Sequence, residues 1–277
     1  MPASIRRGVS LPSMPVPRVM RPAKFDRLFA EGRAALLSGT HRVESVPVDG
    51  SPRWGIGAAL RPDPAAAQII EQIAVSAAAM VGDHRWVAGA VPSSHLTLRA
   101  GLECYRASVP ADDPLVARYA AALRVAVSKA RPIRFSVTGL TLTPISVMAS
   151  AVPADTAADE LASAFGAALS ADGLPGAGFA PDIWYVNLVY FTGPVRDAKQ
   201  LTDWVAARRE MKLADALIAD AQIIRWRHTS TGMLPVILAS AAPSQSPPRL
   251  ILPPIAARNR RLSAGLSFDP ASLEALP

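Results

Sequence analysis

Ser94-His95-Leu96-Thr97-Leu98-Arg99 alternates polar and apolar side chains, and the rest of the chain is read outward from it. Successive side chains of a β-strand point to opposite faces. The alternation therefore predicts a strand that buries Leu96 and Leu98 and presents His95, Thr97 and Arg99 in one row. Imidazole, hydroxyl and guanidinium are a proton acceptor and donor, a neutral hydrogen-bond donor and an anion clamp. Such a row can handle a phosphate. The plainer alternative makes His95 a strand-face histidine bonded to a backbone carbonyl, Thr97 a β-former and Arg99 a solvated strand-end charge.

Outward from this strand the chain alternates helical and extended patterns. Phe25 to Leu37 has helical spacing. Trp54 to Leu60 reads as a strand, and Pro62-Asp63-Pro64 opens a helix to about Met80, with proline and aspartate suited to its first turn. Pro114 to Lys129 reads as a helix. Ile133 to Thr143 and Ile145 to Val152 read as antiparallel strands, with Gly139 a break or bulge in the first. Asp155 to Ala171 is helical and a glycine-rich loop follows. Ile183 to Phe191 is an apolar strand and Val195 to Leu213 a helix. Ala219 to His228 and Met233 to Leu238 pair as a hairpin. This order predicts an α+β fold in two pseudo-symmetric lobes of mixed or antiparallel sheet, with helices outside. The expected organisation is a disordered basic tail at 1–24, a bilobal domain at 25–242 and a Pro- and Arg-rich disordered tail at 243–277.

At 277 residues, half of them hydrophobic, the chain can bury a large core. The net charge of +7 resides in the tails, which carry +5 (residues 1–25) and +2 (243–277) and leave the middle near neutral. A basic balance of this kind does not by itself imply a nucleic-acid-binding face. Cys104 is the single cysteine, which excludes an internal disulfide and a Cys-rich zinc site and fits a reducing compartment. No membrane span and no secretory pattern are evident, so a cytoplasmic location is expected. Nucleotide-loop, H-E-x-x-H and G-x-S-x-G motifs are absent, and four scattered histidines give no metal-ligand spacing. No cofactor or metal is expected.

His95-Leu96-Thr97-Leu98 resembles the H-x-T/S-h motif of the two-histidine phosphoesterase superfamily, which includes 2′-5′ RNA ligase-like proteins and cyclic nucleotide phosphodiesterases. The resemblance covers about Trp54 to Leu238. It implies a bilobal fold with one motif per lobe lining a central cleft, and metal-independent chemistry on an RNA or small nucleotide phosphodiester. One histidine deprotonates the nucleophile, the other protonates the leaving oxygen, and the hydroxyls hold phosphate oxygens. The second motif falls at Trp184-Tyr185-Val186-Asn187, where Tyr185 stands in the histidine position and Asn187 in the hydroxyl position. An unshifted phenol, with a pKa of about 10, is a poor base at neutral pH. Two readings stay open: a one-histidine hydrolase using His95, Thr97, Tyr185 and Asn187, and a pseudoenzyme that binds a phospho-ligand or RNA without turnover.

In Arg225-Trp226-Arg227-His228 the two arginines share one strand face and Trp226 and His228 the other. Arg225 or Arg227, facing the cleft with Arg99, would clamp an anion; the alternative is an exposed charged ladder. The sequence does not determine an oligomeric state.

Overall fold

The computed structural model describes residues 22–174, 178–230 and 232–243. The chain divides into residues 1–247 and 248–277, and the second unit lies outside the described residues, as do nearly all of the two expected tails.

In chain order the elements are α1 (Lys24–Leu37), β1 (Gly57–Pro62), α2 (Pro64–Val81), β2 (Arg85–Val87), β3 (Leu96–Arg99), α3 (Pro114–Val127), β4 (Arg134–Leu142), β5 (Ser146–Pro153), α4 (Ala157–Ala171), β6 (Trp184–Phe191), α5 (Ala198–Ala206), β7 (Lys212–His228) and β8 (Met233–Ala241). The strands form one sheet ordered β2-β6-β5-β4-β7-β1-β3, with β8 on β7. Every pairing between named strands is antiparallel.

The two lobes of this α+β fold are joined by β7, which runs for 17 residues. Lys212 to Leu217 pairs with β4, Ile218 to Ile224 with β1, and Ala221 to His228 with β8. This corrects the helix expected to reach Leu213: α5 stops at Ala206 and the strand begins at Lys212. Alanines at 214 and 216 suit a helix, but both are buried in alternation with half-buried Leu213 and exposed Asp215, and pairing with β4 overrides local propensity.

Two Asp-Pro steps start helices. Asp63 Oδ1 accepts from the backbone N–H groups of Ala65 and Ala66, each at 3.1 Å, with Pro64 in the first turn. Asp113 caps α3 the same way, accepting from Leu115 and Val116 at 3.0 Å. Asp63 also accepts from the Leu217 N–H at 2.8 Å through Oδ2, which ties the start of α2 to the middle of β7. Among the described residues α2 alone is long and apolar enough to cross a membrane; here its buried alanines and Ile70 pack on β6 and β7.

The main core lies between the helices and one face of the sheet, where Leu96, Leu98, Val186, Leu188 and Ile223 are buried. A smaller aromatic cluster of Trp86, Tyr190 and Trp226, with Trp54 against it, is separate from this core.

Candidate active site

Because β3 buries Leu96 and Leu98, its polar row faces away from the main core, and β6 repeats the arrangement with Val186 and Leu188 buried. His95, Thr97 and Arg99 from the first segment and Tyr185 and Asn187 from the second line one cavity of about 590 Å³. Its remaining wall includes Arg53, Trp54, Met148, Tyr190, Ile224 and Trp226.

His95 is held from both sides. The turn leading into it is pinned by Arg61 of β1, whose Nη2 donates to the carbonyls of Val91 and Pro92 at 2.9 Å each. Glu71 of α2 accepts from the Val91 N–H at 3.0 Å. The imidazole lies 4.8 Å from the Trp226 ring, centroid to centroid. Its Nδ1 is 2.8 Å from the Ser93 carbonyl. A carbonyl only accepts, so Nδ1 carries the hydrogen and, in the neutral ring, Nε2 carries the lone pair. Burial pulls the imidazole down to about 4; the Arg61 charge pulls the same way and the Ser93 carbonyl opposes both. At neutral pH the ring is an uncharged proton acceptor. The backbone-bonded histidine and the one that lines the cavity are thus the same residue.

On the opposite strand, Tyr185 has its pKa raised by burial, which outweighs the favourable charge of Arg53. The phenol keeps its proton and can donate it. Asn187 is only 8 % exposed, and its Oδ1 has no hydrogen-bond partner among the described residues. A buried carboxamide oxygen without a partner is uncommon and is an acceptor for a ligand O–H or N–H.

Arg99 lines the cavity, and its Nη2 donates to the Gly178 carbonyl at 3.3 Å. The same segment is bridged by paired backbone bonds between Ala100 and Phe179, at 3.1 and 2.9 Å. Arg225 and Arg227, expected as anion clamps, do not line the cavity. Alternation along β7 gives that place to Trp226 and turns both arginines to the other face, with Arg227 exposed. His228 shares the Trp226 face, within 4.8 Å of the Trp86 ring and 5.4 Å of Trp54. Burial lowers its pKa against the pull of Glu44, and neither ring nitrogen has a partner among the described residues.

The site residues that sequence reading passed over come from the loop before β1. Arg53 and Trp54 line the cavity, and Glu44 anchors them from behind. No periodicity marks this loop. The only local signal is Trp54-Gly55-Ile56-Gly57, a glycine pattern too short to name a function. Among the described residues no group of three or more His, Cys, Asp or Glu side chains is placed to hold a metal ion.

No protein-family model matches the chain, and no curated protein matches it in sequence. Solved structures do. The chain is similar to a protein described as a phosphoesterase, at 14% identity over 69% of this chain and 99% of that one, with a TM-score of 0.46. It is similar to E. coli LigT complexed with 3′-AMP, at 12% identity over 69% of this chain and 99% of that one, with a TM-score of 0.47. The third is a protein of Thermus thermophilus, at 15% identity over 68% of this chain and 96% of that one, with a TM-score of 0.44.

Proposed function

We propose that this chain is a phosphoesterase related to the two-histidine superfamily but working with one histidine, acting in the cytoplasm on an RNA or nucleotide phosphodiester or cyclic phosphate. In this reading His95 Nε2 takes the proton from the attacking hydroxyl or water. Thr97 donates to a non-bridging phosphate oxygen. Tyr185 gives its proton to the leaving oxygen, and Asn187 meets a hydroxyl of the substrate.

The observation that carries the reading is the Nδ1 bond of His95 to the Ser93 carbonyl. It leaves the basic nitrogen unprotonated in a cavity that two facing strands supply with a hydroxyl, a phenol and a carboxamide. General-base catalysis needs a group that is neutral at the working pH and within reach of the nucleophile, and His95 meets the first condition.

The test is hydrolysis of adenosine 2′,3′-cyclic phosphate and of 2′-5′-linked dinucleotides by the full chain. His95→Ala is expected to lower kcat by about 10²–10⁴-fold, the range of a lost general base, with the fold intact. Turnover unchanged in His95→Ala overturns the assignment. Ligand binding without turnover by the unmutated protein selects the pseudoenzyme reading instead.

A further inference from the structure

Three cations line the cavity among the described residues: Lys24, Arg53 and Arg99. Lys24 is paired with Asp182, and Arg99 donates to the Gly178 carbonyl. Arg53 is arranged differently. Its Nε donates to Glu44 Oε2 at 3.4 Å and its Nη2 to Glu44 Oε1, while Trp54 Nε1 donates to Glu44 Oε2 at 3.1 Å. The Glu44 carboxylate is buried, with 6 % of its side chain exposed, whereas 54 % of the Arg53 side chain is exposed. Glu44 thus takes the Nε–Nη2 edge of the guanidinium and leaves both N–H groups of Nη1 for another acceptor.

The backbone at this point is equally committed. Trp54 has φ of 64°, a left-handed conformation that bulky L-residues rarely adopt. At Gly55 a Cβ would sit 1.9 Å from the Glu103 carbonyl oxygen, so only glycine fits. The Trp54 indole lies 4.7 Å beneath the Arg53 guanidinium and edge-on to Tyr190 at 4.9 Å. A strained turn over-determined by its surroundings is a common feature of ligand sites. Here the strain coincides with a buried acid and a cation presented to a cavity.

We propose that Arg53, held by Glu44 and stacked on Trp54, is the anion-binding residue of the cleft and takes a phosphoryl group. A fixed planar fork suits tetrahedral oxyanions, and pre-organisation by a carboxylate reduces the rotamer entropy lost on binding. Arg53 also lies near enough to Tyr185 for its charge to favour the phenolate, which places the anion beside the proposed proton donor. The inference rests on the proposed function only for the phosphoryl nature of the anion.

The test is calorimetric titration of the full chain near neutral pH with inorganic phosphate and with adenosine 2′,3′-cyclic phosphate, for the unmutated protein, Arg53→Gln, Arg53→Lys and His95→Ala. Glutamine keeps an N–H donor for Glu44. Removing a charge-assisted bond should weaken binding of both probes about tenfold or more in Arg53→Gln. Lysine cannot serve Glu44 and the ligand with one planar fork, and a clear loss is expected there too. Binding to Arg53→Gln within about twofold of the unmutated protein, or no phosphate binding by the latter, overturns the proposal. If the glutamine variant does not fold, Arg53→Lys decides by the same criterion. The two readings fail separately. Arg53-dependent binding with no turnover leaves the clamp and removes the enzyme. His95-dependent turnover with KM unmoved by Arg53→Gln leaves the enzyme and removes the clamp.

Discussion

His95 holds its neutral, Nδ1-protonated form through the chain around it, because the Ser93 carbonyl fixes the tautomer and burial beside Arg61 keeps the ring neutral. The pH consequence has a definite sign. An imidazole pulled from an ordinary value near 6.5 down to about 4 binds its proton less readily in the folded state than in the unfolded one. Its contribution to stability is therefore present above the unfolded pKa and is lost as pH falls from about 6.5 toward 4. For activity, kcat/KM should stay level through the range where a free histidine titrates and fall only near pH 4, and a pH–rate profile checks this. An acidic limb at about 6.5 would mean that the catalytic ring is solvated. The shared row of His95, Thr97 and Arg99 was legible because alternation fixes a strand's faces, whereas Tyr185 and Asn187 were singled out by the resemblance of their segment to a second motif. Arg225 and Arg227 were misplaced for want of one bit of information: which face of β7 meets the cleft. Glu44, Arg53 and Trp54 were invisible, since their association depends on a loop with no repeat.

At the scale of the element, the caps do more than begin helices. Asp63 accepts from two N–H groups of its own helix and from Leu217 of β7. Asp63→Ala should therefore cost about 2 kcal/mol, a helix cap plus one further hydrogen bond, as a shift in the urea midpoint. A loss near zero would mean that water replaces both roles. Pro62-Asp63-Pro64 marked the start of α2 in the sequence, and Gly139 correctly marked an irregularity in β4, where φ is +73° and the pairing register shifts. Of β7, Lys212 and Leu213 fell in the expected helix and Ala219 to His228 in the expected strand; the alanines at 214 and 216 between them reveal strand burial only when a partner is present. The three residues of β2 are too few to show a period.

Over the whole molecule, β7 serves both lobes: β4 pairs with its first part and β1 with its middle. Without it the single sheet falls into separate parts, so the two lobes should unfold together. A fragment of residues 22–210, which lacks β7 and β8, is expected to show no cooperative thermal transition by circular dichroism. A sharp transition in that fragment would show that one lobe is autonomous. The lateness of β7 in the chain has a bearing on biosynthesis. Everything before Lys212 leaves the ribosome with β1 and β4 lacking their shared neighbour. Unpaired strand edges of that kind invite wrong partners, and contacts distant in sequence form slowly. Until β7 emerges, one edge of β1 and one edge of β4 stand as open templates.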